Sequence, residues 1–135
     1  MKIIRYGGWI FLSNEIHNLD NNKCGKWMYF FDNKKFIAQM CKKAIEHNAI
    51  TECKFSDKDE GVACFYLNYD DIDAHKRILN FMIENNLIKK TKAGKYYNMS
   101  FKLNSQTRNM EYGSNYSSDI KLSNFIDLES GKWII

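Results

Sequence analysis

The stretch that decides the fold is Gly25-Lys26-Trp27-Met28-Tyr29-Phe30-Phe31, which is followed directly by an amphipathic segment. Its aromatic and apolar residues predict a β-strand. Asp32 or Asn33 can cap the next segment as a helix, because a short polar side chain accepts backbone N–H bonds that the first turn leaves open. Apolar residues then recur at helical spacing, at Phe36, Ile37, Met40, Cys41, Ala44 and Ile45. A strand followed by a capped helix is therefore the basic unit of this chain.

The same unit returns downstream. Residues 52–55 and 62–69 predict a hairpin around an Asp- and Gly-rich turn, and Asp70 or Asp71 can cap a second helix that ends near Asn85. Residues 87–91 and 95–103 predict another hairpin, and residues 124–128 a short helical turn capped by Ser123. With a first strand at residues 9–12, the order is ββ-α-ββ-α-ββ.

This order predicts an α+β fold, with about six strands in a curved antiparallel sheet and both helices on one face. If residues 9–12 form no strand, a ferredoxin-like βαββαβ order is the alternative. A chain of 135 residues with 44% apolar and 15% aromatic residues is expected to form a single domain over residues 1–135.

Composition also bears on origin and compartment. Proline is absent while Asn, Ile and Lys are abundant, as AT-rich coding sequence produces, which points to a low-GC bacterium or one of its phages. The N-terminus lacks the apolar region of a signal peptide, and no run of about 18 apolar residues occurs. We therefore expect a cytoplasmic protein with no membrane partner.

Sequence motifs for chemistry are few. The cysteines at positions 24, 41, 53 and 64 form no Cys-x-x-Cys pair and are predicted to be buried free thiols, so no metal or cofactor is expected. No Ser–His–acid order, paired catalytic carboxylates, P-loop or dinucleotide fingerprint appears. The absence of these motifs favours a binding protein over an enzyme.

Charge is distributed unevenly although the net charge is only +4. Residues 52–73 form an acidic band with seven Asp and Glu residues, whereas residues 74–102 carry seven Lys and Arg residues against Glu84. A basic surface of this kind attracts phosphate groups.

A resemblance to a known family rests on two motifs. Gly25-Lys26-Trp27-Met28 before a helix, together with Gln106-Thr107-Arg108 and Tyr112-Gly113, resembles a family of bacterial proteins labelled as phosphothreonine lyase domain proteins. The resemblance spans about residues 23–115 and implies a fold similar to the cap-binding translation initiation factor 4E. The chain departs from the pattern at Asn109-Met110-Glu111. A phosphothreonine lyase needs an arginine cluster, whereas the arginines here stand apart at positions 5, 77 and 108.

The candidate ligand site follows from residue chemistry and from this resemblance. Tryptophans stack on purines, and Trp27 is the leading candidate over Trp9 and Trp133 because it lies at a strand start. Arg108 lies in a polar loop whose donors suit phosphate. The predicted ligand-binding residues are Trp27, Lys89, Lys90, Lys102, Gln106, Thr107, Arg108 and Tyr112.

Three functions remain open at this stage. The first is a non-catalytic binding protein for a nucleotide or other phosphate-bearing ligand, such as a phage counter-defence protein that sequesters a nucleotide signal. The second is an anti-CRISPR-like inhibitor of a host defence nuclease that uses the acidic band. The third is a phosphoester-acting enzyme. The sequence leaves the oligomeric state open.

Overall fold

The structure is a computed structural model that describes residues 1–16, 18–104 and 120–135. Its strands are β1 (Lys2–Tyr6), β2 (Trp9–Ser13), β3 (Cys24–Phe31), β4 (Glu52–Ser56), β5 (Gly61–Asn68) and β6 (Lys102–Leu103). Its helices are α1 (Lys34–Glu46) and α2 (Ile72–Glu84), and a 3₁₀ turn spans Leu122–Asn124.

The strands form one open sheet in the order β1-β2-β4-β5-β3-β6. Every neighbouring pair is antiparallel, and the longest pairing joins β3 to β5 over eight residue pairs from Cys24–Asn68 to Phe31–Gly61. The predicted α+β fold, with a six-stranded antiparallel sheet and two helices, is confirmed.

Both helices begin where the capping residues predict. The side chain of Asn33 accepts the backbone N–H of Phe36, and that of Asp71 accepts the N–H of Ala74. Each helix is too short to be stable alone in water, so its buried stripe supplies most of its stability.

The core lies between the helices and one face of the sheet. Leu12, Cys53, Phe65 and Trp27 are paired across β2, β4, β5 and β3, and all four side chains are buried. The Sγ of Cys53 approaches the carbonyl oxygen of Cys41 on α1, and Trp27 contacts α2, so both helices cover this same face. Neither α1 nor α2 lies on the opposite face of the sheet.

The strands are distributed along the chain differently from the expected order. Three strands precede α1, because Lys2–Tyr6 pairs with β2 through a two-residue turn in which Gly7 and Gly8 both have positive φ. A Gly-Gly pair between strands is a hairpin signal, since both turn positions need the left-handed region. The sequence interpretation missed it because the strand itself lacks alternating hydrophobicity: all of its residues are exposed.

The hairpin predicted at residues 87–91 and 95–103 forms only around its turn. There the N–H of Thr91 donates to the carbonyl of Lys95, the N–H of Tyr97 donates to the carbonyl of Lys89, and Lys90 bridges Tyr96. Farther along, the short strand β6 pairs with β3. The C-terminal segment supplies further backbone partners. The N–H of Tyr96 donates to the carbonyl of Leu128, and that of Phe101 donates to the carbonyl of Ile120. This pairing is too distant in sequence for local patterns to indicate.

The four cysteines are buried free thiols, as predicted. Within the described ranges, no helix is long and apolar enough to cross a membrane.

Candidate functional site

Trp27 is a core residue rather than a ligand platform. Its side chain has 0% exposure, and its indole N–H donates to Nδ1 of His75 at 3.0 Å. The rings of Phe101 and Phe125 pack edge-on against it, with centroids at 5.3 and 6.1 Å. No face of the indole is accessible for stacking on a base, which corrects the expectation from its position at the strand start.

The imidazole of His75 is the polar centre of this core. Nδ1 accepts from Trp27, while Nε2 lies 2.9 Å from the carbonyl oxygen of Tyr69, so the neutral ring with its proton on Nε2 satisfies both contacts. Burial lowers the pKa of His75, although the Tyr69 carbonyl and Asp71 act in the opposite direction. His75 is therefore engaged at both ring nitrogens and is unsuited to act as a general acid.

This buried histidine predicts a pH dependence of stability. Below its unfolded pKa of 6.5 the unfolded chain binds a proton that the folded chain resists, so the free energy of unfolding falls as pH decreases. The slope is at most about 1.4 kcal/mol per pH unit and lessens once pH passes the lowered folded pKa. Urea denaturation between pH 7 and 5 should show this slope in the wild type and a shallower slope in His75→Gln. Equal slopes would contradict it.

The predicted lysines do not lie together. Lys102 lies opposite Lys26 on the sheet face that points away from α1 and α2. The ammonium of Lys89 instead sits 4.7 Å from the ring centroid of Tyr29, which projects from the helix-bearing face, and that of Lys90 lies over Tyr96 at 4.9 Å. Gln106, Thr107, Arg108 and Tyr112 lie outside the described residues.

The sheet face opposite α1 and α2 carries several aromatic residues and lysines. Because side chains alternate along a strand, the registers place two rows on this face. One row runs Ile4, Phe11, Lys54, Cys64 and Met28, and the other runs Lys2, Ser13, Glu52, Tyr66, Lys26 and Lys102. We call this surface, together with Tyr6 and Trp9, the open face. Glu52 is the one acidic residue in these rows.

On the open face, the side chain of Lys54 lies close to two aromatic rings. Its ammonium lies 3.8 Å from the ring centroid of Trp9 and 5.7 Å from that of Phe11. Cation–π contacts of this length are attractive and fix the position of the charge. A phosphate approaching the face would meet an ammonium positioned over the ring of Trp9.

Lys26 provides a second, more buried cation in the neighbouring part of the face. Its ammonium donates to Oδ1 of Asn104 at 3.2 Å and lies 5.9 Å from the ring centroid of Tyr66. Burial lowers its pKa, and the charges of Lys102 and Lys54 lower it further. Burial also raises the pKa of Tyr66, so its hydroxyl stays neutral. Positive charge thus extends from β4 across to β6.

A groove of about 560 Å³ opens on this face at the free edge of the sheet. Its lining includes Ile4 and Phe11, with Lys2, Tyr6, Ser13 and Glu52 around them. The volume falls within the usual range for small-molecule sites, and the combination of apolar, aromatic and polar groups suits a flat polar ligand.

A second groove of about 570 Å³ lies on the other side of β1, beside the start of α1. Two of its cations share one carboxylate: the guanidinium of Arg5 lies 2.9 Å from Asp57, and the ammonium of Lys34 contacts the same group at 2.5 Å. Two further acids, Asp32 and Asp59, line the groove. The Lys34 hydrogen bond, with Arg5 nearby, lowers the pKa of Asp57. This groove is therefore less suited to an anion than the open face.

Sequence reasoning considered Trp9 but missed Phe11 and Lys54. A signal was present, since Trp9 and Phe11 occupy alternate positions of one predicted strand and Lys54 does not fit the apolar pattern of the next. Bringing them together requires the pairing of β2 with β4, which are far apart in sequence.

No model of a known protein family matches this sequence, and no curated protein sequence matches it. Over the described part of the chain, no group of three His, Cys, Asp or Glu side chains is placed to hold a metal ion.

Proposed function

We propose that this chain is a non-catalytic binding protein for a nucleotide or another phosphate-bearing ligand, and that the ligand occupies the open face. The observation that carries the proposal is the placement of the Lys54 ammonium near the rings of Trp9 and Phe11, of which Phe11 lines the groove. Aromatic rings offer stacking surfaces to a base, and lysines attract its phosphates.

The proposed site differs from the one that the sequence suggests. Phe11 and Tyr6 replace Trp27 as stacking surfaces, because both rings line the groove. Lys2 and Lys54 supply charge, and Lys102 lies in the same row as Lys2. Ser13 adds a hydroxyl that can donate to a base or a sugar. A protein that holds a nucleotide without turning it over would suit a phage counter-defence protein that sequesters a nucleotide signal.

The distribution of acidic residues favours this function over nuclease inhibition by nucleic-acid mimicry. The acidic band divides between the β4–β5 turn and the start of α2, at opposite ends of β5, so the two parts are about 25 Å apart. Asp57 and Asp70 form ion pairs, and Asp71 caps α2. A continuous row of free carboxylates, which mimicry of a phosphate backbone requires, is not formed by these residues.

A matched pair of lysine variants tests the proposal. Lys54→Ala should weaken nucleotide binding about tenfold or more, since a charge-assisted contact contributes about 1.5–3 kcal/mol. Lys42→Ala, which removes an exposed lysine of α1, should change affinity less than about twofold. Phe11→Ala should also weaken binding, by the loss of about 1–3 kcal/mol of stacking.

The measurement is isothermal titration calorimetry with a panel of nucleoside triphosphates and cyclic oligonucleotides. Absence of heat for every ligand at millimolar concentration would refute the proposal. An equal loss of nucleotide affinity in Lys54→Ala and Lys42→Ala would show that the ligand does not bind at the open face. Slow conversion of a bound ligand would show an enzyme instead.

A further inference from the structure

The first strand forms one edge of the sheet, and no described segment pairs with its outer side. All of β1 is exposed, including Ile3 at 50%, Ile4 at 45% and Tyr6 at 77%. Proteins usually protect such edges with proline, charged side chains, a bulge or a covering segment. The charged residues of β1 are Lys2 and Arg5, and Arg5 is paired with Asp57. Here the chain has no proline, and β1 pairs with β2 in unbroken register over all five residues.

The direction of the backbone groups on this edge follows from the pairing of β2. The N–H of Asn14 donates to the carbonyl of Thr51, and the carbonyl of Gly8 accepts from the N–H of Asp57. The backbone N–H and C=O groups of the even-numbered residues from Gly8 to Asn14 therefore point toward β4. Backbone groups alternate in direction along an antiparallel strand. Those of Trp9, Phe11 and Ser13 therefore point toward β1. The backbone groups of their partners on β1, Lys2, Ile4 and Tyr6, are thus used in hydrogen bonds to β2. The N–H and C=O groups of Ile3 and Arg5 point out from the sheet.

We propose that a second copy of this chain pairs with β1 in antiparallel orientation, with Ile4 opposite Ile4 at the two-fold axis. In this register Ile3 lies opposite Arg5 of the second copy, and each such pair exchanges both N–H···O=C bonds. The whole of Lys2–Tyr6 is then paired. The two sheets become one continuous antiparallel sheet.

Side-chain chemistry favours this register over its neighbours. Lys2 lies opposite Tyr6 of the second copy on the open face, which allows a cation–π contact, and Arg5 lies opposite Ile3 on the other face. No like charges oppose each other. Centring the pair on Arg5 would place two guanidinium groups face to face, and centring it on Ile3 would leave Tyr6 without a partner.

Pairing would also add to the groove on the open face. Lys2, Ile4 and Tyr6 line that groove at the free edge, so the same residues of the second copy would form its far wall. The two grooves would then adjoin across the two-fold axis. The dimer itself needs no ligand, and its test is independent of the proposed binding function.

The sharpest test places proline at a backbone position that only the second copy uses. Arg5→Pro removes an outward N–H and leaves the β1–β2 ladder intact, whereas Arg5→Ala keeps that N–H; both variants lose the ion pair with Asp57. Light scattering across a concentration series should give twice the 16.0 kDa chain mass for the wild type and Arg5→Ala, and the single mass for Arg5→Pro. A wild type that remains monomeric, or an Arg5→Pro variant that dimerises equally, would overturn the proposal.

A second variant and a second measurement test the pairing even if the proline variant misfolds. Ile4→Lys changes an exposed side chain and would set two ammonium groups opposite each other, so it should also be monomeric. In the wild-type dimer the amide protons of Ile3 and Arg5 should exchange slowly, and dilution or Ile4→Lys should make both fast while the Ile4 amide stays protected. Fast exchange at Ile3 and Arg5 at every concentration would contradict the pairing.

Discussion

Trp27→Ala is expected to lower the free energy of unfolding by about 3–5 kcal/mol, the range for removing a large aromatic side chain from a core. The indole is fully buried between Phe101, Phe125 and His75, so its removal leaves a cavity. It also leaves Nδ1 of His75 without the donor that Trp27 provides. The loss is a large part of the 5–15 kcal/mol that stabilises a typical domain.

Urea denaturation followed by circular dichroism measures this change, and two further variants sharpen it. Trp27→Phe keeps most of the ring volume but loses the N–H, so it should fall between the wild type and Trp27→Ala. Trp9→Ala removes a half-buried indole from the open face and should cost less than Trp27→Ala. If Trp9→Ala were the more damaging of the two, the assignment of core and open face would be wrong.

Gly25→Ala is expected to destabilise the fold by about 1–3 kcal/mol, as overpacking of a filled core does. A Cβ at this position would overlap the ring of Phe101 and lie 2.8 Å from the backbone carbonyl oxygen of Lys102. Gly25 thus permits the close approach of β6 to β3, where it pairs with Leu103. The backbone oxygen cannot move aside as a flexible side chain can.

A double-mutant cycle with Phe101→Leu measures how much of the cost of Gly25→Ala comes from the overlap with the Phe101 ring. The smaller side chain relieves part of the overlap, so Gly25→Ala should cost less in the Phe101→Leu background than in the wild type. Chemical denaturation of the four proteins provides the coupling energy. Strict additivity, or a neutral Gly25→Ala, would show that β3 and β6 are not packed as closely as described.

Local signals predicted most of the fold. Asn33 and Asp71 cap the two helices because a short polar side chain directly before an apolar stripe has few other roles. The strands around the 56–61 turn were predicted for a similar reason, since apolar segments flank polar turn residues. After α2, local signals predicted only the part of the hairpin around its turn, because Tyr96 and Phe101 also take backbone partners from the C-terminal segment.

The proposed ligand site is harder to predict from the sequence than the fold is. A tryptophan at a strand start is equally compatible with a binding platform and a core position, and only the location of His75 and Phe101 decides between them for Trp27. Conversely, Lys54 becomes a candidate binding residue only once the pairing of β2 with β4 brings Trp9 and Phe11 beside it. Arrangements that depend on non-local strand pairing carry little signature in one sequence.

Nuclear magnetic resonance titration of the isotopically labelled chain with the tightest-binding nucleotide of the calorimetric panel tests the central claim most directly. The backbone amides of β2 and β4, with Phe11 and Lys54 foremost, should shift in a saturable manner, while those of α1 and α2 should not. Shifts that cluster on the helices, or a spectrum unchanged at millimolar nucleotide, would contradict the account of the open face as a phosphate-ligand site.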